Sequence, residues 1–164
     1  MSEMQITAEP GVPQVLATRE FDAPRELVFR AYTDPELLAQ WLGPRKYTMR
    51  IDRYEVRDGG TWRYVHVGED GNEFAFHGVF HGAPTPERIV QTFEFEGSPG
   101  DVALDTATFE EREGKTVVHV NSVFQSVAAR DAMVESGMAE GMTESYERLD
   151  DLLAREFKAR HDAG

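Results

Sequence analysis

The most constraining feature of the chain is a one-sided stripe near its C-terminus. Met142, Tyr146, Leu149, Leu153 and Phe157 recur at spacings of four, three, four and four residues. That spacing keeps them on one face of a helix for more than four turns, while Glu140, Glu144, Glu147 and Asp151 occupy the opposite face. A helix with one apolar face needs a flat apolar partner, and an antiparallel sheet with one apolar face supplies it.

The preceding residues provide such a sheet. Strand-like segments are expected at Thr48–Arg57, Thr61–Val67, Glu73–His81, Arg88–Phe95, Ala103–Glu110 and Lys115–Phe124, each bounded by Gly, Pro, Asn or Asp. Connections this short favour consecutive antiparallel neighbours, because parallel pairs need long crossovers. The alternation slips between Ile51 and Tyr54, which predicts a bulge. Upstream lie a first strand, Val15–Asp22, and two short helices. The first opens with Pro24 at its initial helical position, and the second is capped by Asp34 ahead of Pro35 and stopped by Gly43-Pro44. Val127–Glu135 reads as a separate short helix, with Ser136-Gly137 as the break before the long one. Residues 1–13, with Pro10, Gly11 and Pro13, read as a disordered leader, residues 14–158 as a single domain and residues 159–164 as a tail.

Composition narrows the possible functions. Cysteine is absent, which removes disulfides, thiol catalysis, iron–sulfur clusters and Cys-based zinc sites. The formal charge of −13 opposes phosphate binding, and the basic cluster Arg45, Lys46, Arg50, Arg53 and Arg57 is interleaved with acids, so nucleic acid is not expected. No run approaches the roughly 18 apolar residues of a membrane span. Met1–Gln14 has no secretory pattern, and a cytoplasmic location is expected. His77 and His81 lie about 13 Å apart if both are on one strand, too far to share an ion. No metal or cofactor is expected, and no nucleophile elbow or phosphate-binding glycine loop occurs. Gly137 and Gly141 make a small-residue spacing that reads as a packing surface, since the flanking glutamates exclude membrane pairing.

Several motifs in this order carry a family resemblance: Arg19-Glu-Phe-Asp-Ala-Pro24, Thr33-Asp-Pro-Glu36, Trp41-Leu-Gly-Pro44, Gly59-Gly-Thr-Trp-Arg63 and Gly137-Met-Ala-Glu-Gly141. Over about residues 15 to 156 the chain resembles the activator-of-heat-shock-protein-ninety-ATPase-homologue-like family of the START/SRPBCC superfamily. The resemblance implies an α+β helix-grip fold, first described for birch pollen allergen. Its seven-stranded curved antiparallel sheet would run in the order 1-7-6-5-4-3-2, with two short helices after strand 1 and a long C-terminal helix over the sheet.

Strand parity then supplies a candidate pocket. Trp62, Tyr64 and His66 share one face, as do Phe76 and Phe80, then Gln91, Phe93 and Phe95, then Val118 and Val120. Trp41 and, from the helix, Met138, Met142 and Tyr146 complete the expected wall, while Arg63 and His77 fall on the other face. An aromatic-rich wall with a few polar groups suits a small hydrophobic guest such as a lipid, flavonoid or polyketide-like compound. The alternatives are a polyketide cyclase or hydrolase using Tyr64, His66 and Tyr146, and a chaperone-regulating domain. A chaperone partner is disfavoured because the resemblance covers only the activator's C-terminal domain. A homodimer stays open.

Overall fold

The computed structural model describes residues 3–163, with side chains through residue 159. Its elements are β1 (Gln5–Thr7), β2 (Gln14–Phe21), α1 (Arg25–Thr33), α2 (Pro35–Leu38) and β3 (Tyr47–Tyr54), followed by β4 (Thr61–Gly68), β5 (Glu73–Val79), β6 (Arg88–Phe95), β7 (Val102–Arg112) and β8 (Lys115–Val123). Two helices, α3 (Val127–Glu135) and α4 (Met138–Ala163), end the chain. The sheet is antiparallel with the order β1-β2-β8-β7-β6-β5-β4-β3.

The expected meander and the pairing of the first long strand with the last are present, but the sheet has eight strands rather than seven. The additional strand comes from the segment read as a leader: Gln5–Thr7 pairs with Leu16–Thr18 at the sheet edge. Met4, Ile6 and the small Ala8 of this stretch pack against the core, too little apolar bulk to produce a clear period-two signal. At the other terminus α4 continues through Ala163, past the expected boundary.

Local chemistry explains the element ends. Asp34 Oδ1 accepts a hydrogen bond from the Glu36 N–H at 3.0 Å, and Pro35 fills the first position of α2. Pro24 is the N-cap of α1 rather than its first helical residue, and its carbonyl accepts from Leu27 and Val28. Ser126 Oγ caps α3 by accepting from the Ala129 N–H at 3.0 Å. Gly137, at φ +98°, makes the left-handed break between α3 and α4 that a side chain would strain. The predicted bulge in β3 is a register shift between Ile51 and Arg53.

The α4 stripe is buried at Tyr146, Leu149 and Leu153, joined by Leu152, which the spacing did not include. Phe157, read as the last member of the stripe, is instead 39% exposed. Two apolar clusters result. The larger joins α1, α2 and α4 to the sheet through Phe21, Leu27, Trp41, Trp62, Phe109 and Val118. The smaller gathers Val15, Ala103 and Phe124 beneath α3, with Met133 and Met138 against them.

Candidate functional site

The concave face lies between these two clusters, and strand register sets its chemistry. Ile89, Ala107, Val120 and Ala17 form one cross-strand row, and Phe93 pairs with Ala103 in another. Between them runs a polar row: Gln91 faces Asp105, and Asp105 faces Ser122. Large residues on β4–β6 therefore oppose small ones, Ala103, Ala107 and Ala17, on β7 and β2.

The expected wall residues divide into two groups. Trp41, Phe80 and Val118 are fully buried members of the main cluster, and the Trp41 indole donates to the Ala31 carbonyl at 2.9 Å. Trp62, Tyr64 and His66 are also buried and stack in sequence, with centroids 5.0 and 5.2 Å apart and nearly parallel rings. Trp62 lies flat on Gly78, where an added Cβ would come within 2.6 Å of its ring. In contrast Phe76, Phe93, Phe95, Gln91, Val120, Met138 and Met142 all keep partial exposure, although their parity directs them inward. Phe76 and Phe93 pack at 5.3 Å. Arg63 and His77 are opposite each other on the outer face, where both engage Glu96.

Burial reshapes the polar groups. Asp105 has its carboxyl pushed up to about 6 by burial, with the Ser122 hydroxyl working in the opposite direction. Burial raises the phenols of Tyr64 and Tyr146, and the charge of Asp105 adds to the shift of both. His66 is pushed down to about 4 by burial and then by the Arg148 guanidinium, so it is neutral near pH 7. Its Nε2 and the Trp62 Nε1 are buried without hydrogen-bond partners among the described residues. Tyr146 Oη lies 2.7 Å from Tyr32 Oη, and the Tyr32 carbonyl accepts from Tyr54. Arg19 is turned inward and buried, donating to the Tyr146 carbonyl at 2.6 Å and lying 3.6 Å from Asp150.

A loop closes one side of the site. The Gly43 N–H donates to Ser145 Oγ at 2.8 Å, and Arg148 donates to the Gly43 and Gln40 carbonyls. At φ +99°, Gly43 lies against His66, whose ring would be 2.7 Å from an added Cβ. A groove of about 400 Å³, lined by His81, Gly82, Ala83, Thr85, Arg88 and Val90, opens at the β5–β6 connection, away from the concave face. Among the described residues no three or more His, Asp or Glu side chains converge as a metal site would require, and no helix is long and apolar enough to cross a membrane.

Two of the polar residues here, Asp105 and Arg19, were not among those singled out from sequence. Parity applied to β7 from its pairing with β6 would have found the first.

A curved antiparallel sheet closed by a C-terminal helix, with a partly accessible aromatic face between them, defines a small helix-grip domain. The chain belongs to the family described as activator of Hsp90 ATPase homolog 1-like protein, whose profile matches residues 22–154. Solved structures agree. A Rhodobacter sphaeroides protein is 30% identical with a TM-score of 0.85, covering 93% of this chain and 99% of that one. An Arthrobacter aurescens protein is 27% identical with a TM-score of 0.85, covering 92% and 91%. A Staphylococcus epidermidis protein is 25% identical with a TM-score of 0.79, covering 93% and 94%. A comparison with curated proteins finds no match.

Proposed function

We propose that the protein binds a small, largely apolar molecule on the concave face, with Phe76, Phe93 and Val120 below the guest and Met138 and Met142 above it. The observation that carries this reading is the partial exposure of inward-facing rings in a sheet whose neighbouring inward positions are fully buried. An accessible apolar surface in a concave setting gains roughly 25 cal/mol per Å² when a guest covers it. The two methionines at the start of α4 are unbranched and adaptable, which suits guests of differing shape. Lipids, flavonoids and polyketide-like compounds all fit this chemistry, and a cytoplasmic binding protein is the setting we infer.

Quenching of Trp41 and Trp62 during titration with a panel of such compounds tests the reading, since both indoles lie in the cluster beside the site. Binding should saturate, and the guest should be recovered unchanged. Val120→Phe places a ring over the low Ala17–Ala107 floor. It should abolish saturation while the protein still melts cooperatively within a few degrees of the parent. A panel that produces no saturable binding, or a Val120→Phe variant that binds as the parent does, overturns the proposal.

A further inference from the structure

Asp105 raises a question that an apolar binding face does not answer. It is the middle member of the polar row, flanked across the strands by Gln91 and Ser122 and along its own strand by Ala103 and Ala107. One apolar cluster lies to each side, with Ala103 belonging to the smaller and Ala107 packing on the larger. Its charge is felt by the phenols of Tyr64 in β4 and Tyr146 in α4.

An inward-facing charge on β2 is compensated. Arg19 has Asp150 and the Tyr146 carbonyl. Asp105 forms no ion pair among the described residues, and no cation contributes to the environment of its carboxyl. The Ser122 hydroxyl and the Gln91 amide are both able to donate, and an ionised carboxyl only accepts, so its immediate neighbours suit the charged form. A half-buried carboxylate set in a largely apolar face without a counter-charge is costly, and a cation brought by a guest relieves that cost. The partly exposed rings of Phe76 and Phe93 on the same face of the sheet are electron-rich, which also attracts cations.

We propose that the guest is an apolar amine: a protonated nitrogen resting on the Asp105 carboxylate, carried on an aromatic or aliphatic body that covers Phe76 and Phe93. This deepens, and rests on, the reading of the concave face as a binding site. It excludes fatty acids and other carboxylates as preferred guests, because their charge would meet Asp105 across an apolar interior.

Three probes of one shape separate the possibilities: naphthylmethylamine, naphthylmethanol and naphthoate, titrated into the full chain. The amine should bind about tenfold to a hundredfold more tightly than the alcohol, the range expected for a charge-assisted hydrogen bond in place of a neutral one. Naphthoate should bind weakest. Asp105→Asn should bring the amine down to the level of the alcohol and leave the alcohol's affinity within about twofold. Amine and alcohol binding equally, or an Asp105→Asn variant that keeps the amine preference, overturns the amine assignment while leaving the binding face intact. Failure of all three probes together with failure of the apolar panel above overturns both.

A pH series on the unmodified protein gives a readout that needs no variant. Amine affinity should rise between about pH 5 and pH 7 as Asp105 ionises, and alcohol affinity should not. The other groups around the site do not titrate in that window. His66 is already neutral, and Tyr64 and Tyr146 are held protonated by burial. A flat amine profile overturns the assignment.

Discussion

Burial raises the Asp105 carboxyl from its ordinary value near 3.8 to about 6. Between those values the folded chain holds a proton that the unfolded chain has released, so stability is lost as pH rises through the window. Asp105→Asn removes that penalty without changing shape. We expect the variant to be more stable than the parent by about 1–3 kcal/mol at pH 7.5, with the advantage gone by about pH 4, as read by denaturant melts at both values. His66 acts in the opposite direction, since its depressed value costs stability as pH falls, but it is common to both proteins and cancels in the comparison. A stabilising substitution of this kind is the mark expected of a residue kept for function at the expense of stability. The Tyr32–Tyr146 hydroxyl pair, 2.7 Å apart, is a contrasting case. Tyr146→Phe leaves a buried hydroxyl without its partner and should cost about 1–2 kcal/mol in the same melts.

At this scale the sequence was readable where side chains alternate clearly. The inward set Trp62, Tyr64 and His66, and the outward pair Arg63 and His77, both follow from parity. Asp105 escaped because β7 reverses the usual signal. Its inward residues are Ala103, Asp105, Ala107 and Phe109, whereas Val102 and Leu104 point outward, Leu104 being 43% exposed. Small and acidic residues do not resemble a core face until a neighbouring strand fixes the register.

Among elements, the two glycines of the α3–α4 region behave differently despite their regular spacing. Gly137 is the left-handed break itself, so Gly137→Ala meets open space yet must adopt a strained φ of about +98°. A cost of about 1 kcal/mol is expected. Gly141 lies within α4, where an added Cβ would meet Pro44 at an ordinary 3.8 Å. The packing demand inferred from the sequence is therefore absent there, and Gly141→Ala should stabilise by about 0.5–1 kcal/mol through helix propensity. For a chain of this size, opposite shifts of roughly 2–4 °C in melting temperature would register the pair. Helix starts and strand turns were legible because capping and turn chemistry are local. The short β1 was not, because three residues held by one neighbouring strand carry no periodic signal.

For the molecule as a whole, the formal charge of −13 is spread over a surface whose ion pairs are mostly exposed, such as Arg50–Glu73 with both partners 53% accessible. Exposed pairs of this kind contribute little, so self-repulsion dominates the response to salt. Raising sodium chloride from about 10 to about 300 mM shortens the screening distance severalfold and should raise the melting temperature by a few degrees. A fall would mean that the surface pairs matter more than the net charge.

The smallest element bears on solubility. β1 covers Leu16–Thr18, in the middle of the outer flank of β2. Without residues 1–8, those backbone donors and acceptors would have only water to satisfy them, beside a Leu16 that is already 43% exposed. Such a strand is a template for another chain, and the truncated protein should elute from a sizing column as concentration-dependent assemblies. Three residues with almost no core of their own thus act as a guard against self-recognition.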